Sequence, residues 1–211
     1  VATIDIEKAK RGEKIFLTSC KRCHGVYEKG WSMPNAGELS NEELLSTTKV
    51  KYHKRTPVKN VGTDPLRYEG MKYFADDLNK MAISKWMKTV VVPQEGYVPP
   101  PLVGIWARYP YLHNNSIPTL CDLLSPVKLR TKKFYQGHSK NPKTDFDADC
   151  VGYPVGKNAP KEWSKVKDAL IDTNRAGLQN IGHEKMLLDE DGKEKYSQKQ
   201  KMELIEFLKT L

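Results

Sequence analysis

Five consecutive residues, Cys20-Lys21-Arg22-Cys23-His24, bring two thiols and an imidazole together. Redox disulfides, structural metal sites and covalent haem sites all use this spacing. A redox disulfide needs a thioredoxin-like alternation of strands and helices, which the sequence does not show. A structural zinc site needs four ligands, usually as two close pairs. The remaining cysteines, Cys121 and Cys150, stand singly about 100 residues downstream, which disfavours zinc.

Covalent haem requires two thiols that form thioethers with the vinyl groups, and a histidine next to the second thiol that reaches the iron. The pentapeptide supplies these groups in that order, at the end of a predicted amphipathic helix. We therefore predict one covalently bound haem c. Cys20 and Cys23 are the predicted attachment points, and His24 is the predicted proximal iron ligand.

Covalent attachment of haem takes place outside the bacterial cytoplasm, so the motif predicts a periplasmic, exported protein. The first residues, VATIDIEKAK, lack the hydrophobic segment of a signal peptide. They are interpreted as a mature N-terminus after processing, although an unprocessed cytosolic protein would look similar. An oxidising compartment permits a disulfide between Cys121 and Cys150. The sequence leaves open whether these two residues are bridged or are separate buried thiols.

The composition is that of a globular protein with a basic surface. Of 211 residues, 38% are hydrophobic, and no apolar run approaches the roughly 20 residues that cross a bilayer. Thirty-five Lys and Arg oppose 26 Asp and Glu, a formal charge of +9 spread along the chain. This balance predicts either a simply solvated surface or steering toward an acidic redox partner. Nucleic acid is disfavoured because no recognised binding motif accompanies the charge.

Helical periodicity is clearest at the two ends of the chain. Asp5 and Ser197 are predicted N-caps of the first and last helices. The middle is less regular and holds most of the 13 prolines. No internal repeat or low-complexity linker is present, which favours one domain. Helices are predicted over four ranges: 5–20, 74–91, 117–126 (with Pro118 near its start) and 197–211.

Several segments resemble a known family. NVGTDPLR, GLQNIGH and the long stretch VVVPQEGYVPPPLVGIWARYPYLHNNSIPTLCDLL, with the terminal helices around the Cys-x-x-Cys-His motif, resemble the C-terminal haem domain of rubber oxygenase. That domain belongs to the bacterial dihaem cytochrome c peroxidase superfamily. GIWARYPYLHN is the most specific part of the resemblance. Those proteins carry two haems, whereas this chain has one haem motif and resembles the half that relays electrons.

The resemblance implies a mostly α cytochrome c fold enlarged by long irregular connecting segments. We expect one domain over residues 1–211, with a large insertion at about 35–180. The expected function is single-electron transfer, and a partner subunit carrying a second haem is a further expectation. The alternatives are a haem peroxidase or oxygenase and a diatomic-gas-binding protein, each with an open or labile sixth site.

The residues alone leave the sixth iron ligand open. Met81 and Met87 follow His24 by 57 and 63 residues, which suits the distal methionine of small cytochromes c. Both lie in a helix-like run, however, where methionine more often fills core gaps. The resemblance implies His183, in the segment QNIGHEKML, as the distal ligand. Met186 is its rival, and an iron with no sixth protein ligand is the remaining alternative.

Other residues are predicted to surround the haem. The resemblance implies His113 as a hydrogen-bonding residue beside it. Arg108 is the predicted propionate partner, because a guanidinium matches a carboxylate. Trp106 is expected to wall the pocket, with Tyr109 or Tyr111. The remaining candidates are weaker: Arg67 as a second propionate partner, and His53 and His138 as surface residues, with His138 a spare ligand. The acidic clusters at 145–149 and 189–194 are interpreted as polar turns rather than calcium sites.

Overall fold

The computed structural model of the protein describes residues 4–55 and 57–211. Residues 1–3, where the processed N-terminus is expected, lie outside the described residues. The described residues form seven α-helices: α1 (Ile6–Ser19), α2 (Lys21–His24), α3 (Asn41–Leu45), α4 (Leu66–Lys80), α5 (Ala82–Met87), α6 (Leu120–Leu123) and α7 (Gln198–Leu208). Short 3-10 helices lie at Gly30–Ser32, Ala36–Glu38, Ile105–Ala107, Val127–Leu129, Gly156–Asn158, Lys161–Lys165 and Lys185–Leu187.

The two terminal helices begin at the caps that the sequence predicts. A carboxylate oxygen of Asp5 accepts a hydrogen bond from the Lys8 N–H at 3.0 Å. At α7, the Ser197 hydroxyl accepts from the Gln200 N–H while the Gln200 side chain accepts from the Ser197 N–H. This reciprocal capping box satisfies two N–H groups that the helix itself leaves without partners. The predictions of both terminal helices are confirmed.

Helices α1 and α7 pack against each other and build the main core. The Phe16 ring of α1 lies 5.2 Å from the Phe207 ring of α7 and 5.7 Å from the Tyr27 ring. Ile205 and Leu204 of α7 are almost completely buried in the same cluster. Burying each such side chain contributes about 1.5–3 kcal/mol. This helix pair therefore holds the end of α1, where Cys20 lies, against a rigid support.

The fold is mixed α and β, and the prediction of a mostly α cytochrome c fold is wrong. About 40% of the chain is helical and 12% is extended, and much of the rest is irregular coil. β1 (Val26–Lys29) pairs antiparallel with β2 (Thr47–Lys51), and β3 (Lys133–Tyr135) pairs antiparallel with β4 (Leu170–Asp172). The reason is local composition: β-branched and aromatic residues favour these strands, and the many prolines cannot continue a helix.

The predicted helix at 74–91 begins earlier and ends earlier than its pattern indicates. α4 already starts at Leu66, and the backbone leaves the helix at Met81 before α5 begins. Ala75 is the only buried residue of α4. The predicted helix at 117–126 is reduced to the four residues of α6, with Thr119 as its N-cap. Among residues 4–55 and 57–211, no helix is both long enough and apolar enough to cross a membrane.

Candidate functional site

A cavity of about 460 Å³ lies between the terminal helix pair and the segment at 97–113. Its volume is in the usual range of pockets that hold organic ligands and cofactors. Most of its wall is apolar: α1, α6 and α7 contribute to it, and the segment at 97–115 contributes the largest share of the lining residues. The apolar lining residues include Phe16, Leu102, Ile105, Leu120, Leu123, Leu124, Leu204 and Leu208.

Both thiols of the haem motif and its histidine line this cavity. Cys20 ends α1, and the N–H groups of Cys23 and His24 donate to the Cys20 carbonyl at 3.1 and 3.0 Å. This one helical turn places Cys20, Cys23 and His24 on the same wall. Both cysteines are free thiols. Burial, followed by the neighbouring Cys23, raises the pKa of the Cys20 thiol to about 12, so this thiol is protonated at neutral pH.

The His24 ring is oriented by a backbone carbonyl. Its Nδ1 lies 2.9 Å from the carbonyl oxygen of Pro100, which can only accept a hydrogen bond. Nδ1 therefore carries the proton and Nε2 keeps its lone pair. Burial lowers the pKa of His24, which also favours the neutral ring. An imidazole fixed in this way by a second partner is the usual form of a metal-ligating histidine.

His183 reaches the cavity from a tightly packed loop on the other side. Its N–H donates to the Val61 carbonyl at 2.8 Å, and its backbone is left-handed, with φ of 55°. Gly182 precedes it with φ of 79°, and a Cβ there would lie 2.5 Å from the carbonyl carbon of Gly62. A non-glycine residue in this conformation costs of order 1–3 kcal/mol and persists only where the surroundings enforce it.

The buried imidazole of His183 is neutral. Burial, followed by the proximity of His24, lowers the pKa of His183 to about 4. Its Nδ1 is buried and has no hydrogen-bond partner among the residues that the structure describes. Burying an unsatisfied nitrogen costs about 1–3 kcal/mol. The described residues thus leave this ring nitrogen of His183 without a hydrogen-bond partner.

The rings of His24 and His183 face each other across the cavity, with centroids 6.3 Å apart and planes inclined by 58°. A metal–imidazole bond is about 2.0 Å, and the ring centre lies roughly 1.1 Å beyond the nitrogen, so two imidazoles on opposite sides of one metal have centroids about 6.2 Å apart. The pair therefore fits a haem iron. In the described ranges, no cluster of three or more His, Cys, Asp or Glu side chains is arranged for a metal ion. A haem iron needs only two protein ligands.

The methionines differ in their access to the cavity. Met186 lines it, three residues after His183, and remains the rival ligand. Met81 and Met87 do not line it and are 50% and 55% exposed. These two methionines are therefore not in position to bind the iron. The prediction that they fill gaps in the core is wrong. His138 is exposed, as expected, whereas His53 is half-buried and its Nε2 lacks a partner among the described residues.

The other predicted residues are only partly brought together. Arg108 lines the cavity, and its Nη2 donates to the Pro101 and Val103 carbonyls at 2.8 and 2.6 Å. His113 also lines the cavity, stacked at 4.8 Å on Tyr97. Its Nδ1 is buried without a partner in the described part of the chain. Tyr111 contributes to the wall, whereas Trp106 is 48% exposed and does not.

Neither Tyr109 nor Arg67 lines the cavity. The Tyr109 ring packs in the second, smaller core cluster, 5.0 Å from Tyr153, and does not line the cavity. The Arg67 guanidinium lies 4.9 Å from the Tyr97 ring, and Tyr97 lines the cavity. Of the predicted residues around the haem, His113, Arg108 and Tyr111 are thus the ones that reach the cavity itself.

Two backbone groups that position the histidines are not among the predicted site residues. They are the Pro100 carbonyl, which holds His24, and the Val61 carbonyl, which holds His183. The available signals were the triple proline at 99–101 and the glycine in NVGTDPLR. Proline fixes the backbone dihedral angle φ, and glycine allows another segment of backbone to approach closely.

The remaining cysteines and acidic clusters have structural roles. Cys121 and Cys150 form a disulfide with their Cα atoms 5.0 Å apart, which decides the question that the sequence left open. Asp145 and Asp147 accept hydrogen bonds from nearby backbone N–H groups, and Asp189 accepts from the Lys193 N–H. These are polar turns, as predicted.

Comparison with known proteins identifies the following similarities. Residues 96–135 match the profile of a family described as RoxA-like, cytochrome c-like. In Sinorhizobium fredii (strain NBRC 101917 / NGR234), the uncharacterised protein y4iJ is 28% identical over 86% of this chain and 35% of its own length. The uncharacterised protein y4iM of the same organism is 36% identical over 98% of this chain and 49% of its own length. The chain thus spans less than half the length of these relatives. The match to this family profile supports a cytochrome c-like resemblance. It implies haem c, and it points to haem-based electron transfer or oxidation chemistry.

Proposed function

We propose that the protein binds one haem c covalently through Cys20 and Cys23, holds its iron between His24 and His183, and transfers single electrons. The observation that carries this proposal is the pair of half-buried, neutral imidazoles whose centroids lie 6.3 Å apart across a mainly apolar cavity. The two thiols are on the same wall as one of these imidazoles. The bound haem supplies a one-electron couple between ferric and ferrous iron.

The chain's own residues provide attachment, orientation and exclusion of water. Cys20 and Cys23 would hold the haem through thioethers to its vinyl groups. The Pro100 carbonyl keeps the proton of His24 on Nδ1, which leaves Nε2 for the iron. The Val61 carbonyl and the left-handed backbone hold His183 opposite it. Together His24 and His183 would hold the iron with two neutral nitrogen ligands in both oxidation states, which would keep the rearrangement on electron transfer small.

We also propose a periplasmic location. Two features support it: covalent haem attachment is carried out outside the bacterial cytoplasm, and Cys121 and Cys150 form a disulfide, which persists in oxidising compartments. The partners are proposed on separate grounds. The basic chain, with a formal charge of +9, would attract an acidic redox partner. Because the relatives y4iJ and y4iM are more than twice as long as the matched region, we propose that a second haem-bearing subunit or domain acts with this one. Within the chain, one domain with an insertion at about 35–180 remains our proposal.

The function is tested on protein exported to a bacterial periplasm together with the haem-attachment machinery. The mass of the denatured unmodified chain is expected to include one haem. The haem of the Cys20→Ala/Cys23→Ala variant is expected to be removed by acid extraction. A potentiometric titration is expected to fit one reversible one-electron step. A high-spin ferric protein that turns over peroxide with an electron donor would contradict electron transfer and favour oxidation chemistry.

A further inference from the structure

The loop that carries His183 is held by a second segment, residues 125–131. The Arg130 Nη1 donates to the Asn180 carbonyl at 2.6 Å, and the Asn180 side-chain amide donates to the Thr131 carbonyl at 2.7 Å. On the other side of His183, the Glu184 carboxylate accepts from the Val127 N–H at 2.7 Å. Three hydrogen bonds thus fix this loop both before and after the histidine.

Arg130 is the residue in this segment that needs an explanation. It is only 2% exposed, and it carries a guanidinium that stays protonated in proteins. Its Nε donates to the Ser125 carbonyl at 3.0 Å, whereas Nη2 is buried and has no partner among the described residues. Two backbone carbonyls are weak compensation for a buried charge, which normally has a carboxylate partner.

The nearby carboxylates are engaged elsewhere. Asp122 accepts from the Thr131 N–H and the Thr119 hydroxyl, and Glu184 accepts from the Val127 N–H. Neither forms an ion pair with Arg130 among the described residues: burial lowers the pKa of Arg130, and the charges of Glu184 and Asp122 offset this only in part. Because it donates to the Asn180 carbonyl, three residues before His183, the Arg130 guanidinium places an incompletely neutralised charge against the loop that carries His183.

We propose that Arg130 is a positioning residue that keeps His183 on the iron and, through its buried charge, raises the reduction potential of the haem. This inference rests on the proposed function. Reduction brings one electron from an external one-electron donor to ferric iron and removes one unit of positive charge from the site. A fixed positive charge nearby disfavours the ferric state, and in a buried environment of low dielectric the effect is only weakly screened.

Two substitutions of Arg130 separate its charge from its hydrogen bonds. Arg130→Met removes both. Arg130→Lys keeps the charge, but a single ammonium cannot reproduce the planar fork that spans the Ser125 and Asn180 carbonyls. Lys132→Met is the matched control, because the exposed Lys132 ammonium donates to the same residue, at the side-chain oxygen of Asn180, at 3.1 Å. Its solvated charge should act weakly on the iron.

The measurements are the midpoint potential by spectroelectrochemistry and the rate at which cyanide replaces a ligand of the ferric protein. Arg130→Met is expected to lower the potential and to accelerate cyanide binding by about tenfold or more. Arg130→Lys is expected to accelerate cyanide binding but to keep a potential close to that of the unmodified protein. Lys132→Met is expected to change both quantities less than Arg130→Met does.

The outcomes distinguish this inference from the proposed function. If the unmodified protein is low-spin but Arg130→Met changes neither quantity, the role of Arg130 is refuted and the proposed function stands. If Arg130→Lys lowers the reduction potential as far as Arg130→Met does, the charge of Arg130 does not set the potential. A high-spin unmodified protein contradicts both the proposed function and this inference. Should Arg130→Met fail to fold, Arg130→Lys and its cyanide rate still decide the positioning role.

Discussion

Gly12 of α1 lies directly against the Glu203 carbonyl of α7: a Cβ on Gly12 would be 1.9 Å from that oxygen. The absence of a side chain at this position is what allows the two terminal helices to approach so closely. The Cβ of Phe207 would also lie 2.9 Å away. Since both close contacts involve α7 and one of them is backbone, α7 would have to move as a whole to admit even a methyl group.

Gly12→Ala is therefore expected to destabilise the protein by about 2–3 kcal/mol, although alanine is the better helix former. Gly70→Ala in α4 is the matched control, because nothing lies within 4 Å of a Cβ there. That substitution should stabilise the protein by roughly 0.5–1 kcal/mol. Urea unfolding of both variants measures the difference. Equal effects of the same sign would show that the α1–α7 approach is not tight.

The disulfide links α6, which lines the cavity, to a loop 29 residues away. Closing a loop of this length restricts the unfolded chain and contributes about 3–4 kcal/mol. Cys121→Ala/Cys150→Ala is expected to lose that amount in the free energy of unfolding while keeping the spectrum of the iron. A reducing agent should have the same effect on the unmodified protein and none on the variant. Equal stability with and without the bridge would contradict this role.

Lys29 is a fully buried lysine, and its ammonium donates to the Thr47 hydroxyl and the Thr210 carbonyl at 2.9 and 2.7 Å. Burial lowers its pKa from 10.5 to about 8. Between these two values the unfolded chain binds more protons than the folded protein, so the contribution of Lys29 to stability should rise with pH.

The measurement is urea unfolding at several pH values between 7 and 10.5 for the unmodified protein, Lys29→Met and the exposed control Lys49→Met. The free energy of unfolding of the unmodified protein, relative to Lys29→Met, is expected to increase from pH 8 toward 10.5. The free energy of unfolding of Lys49→Met should change with pH as that of the unmodified protein does. A flat difference across this range would mean that Lys29 keeps its ordinary pKa in the folded state.

The parts of the structure that the sequence predicts are those decided locally. Asp5 and Ser197 cap their helices through residues three positions away, which a pattern can reveal. The Cys-x-x-Cys-His motif likewise places three site residues within one helical turn. By contrast, β3 and β4 pair across more than 30 residues, and neither strand is long enough to be recognised alone.

The distal side of the site depends on contacts between distant parts of the chain. The His183 N–H donates to the Val61 carbonyl, 122 residues earlier, and no local pattern encodes that bond. The position of His183 was implied only by the family resemblance. Met81 and Met87 show the converse error: their helix-like run suggests core positions, but both side chains are about half exposed, Met81 between α4 and α5 and Met87 at the end of α5.

The most direct test of the account is the low-temperature EPR spectrum of the ferric protein, with its near-infrared spectrum, compared among variants of the distal loop. His183→Asn removes the imidazole but tolerates the left-handed backbone, and His183→Gly leaves space for added imidazole. Met186→Leu is the control for the neighbouring rival ligand. We predict a low-spin bis-imidazole signal that His183→Asn abolishes, that imidazole restores in His183→Gly, and that Met186→Leu leaves unchanged. An unchanged signal in His183→Asn, a thioether charge-transfer band lost in Met186→Leu, or a high-spin unmodified protein would contradict ligation of one iron by His24 and His183.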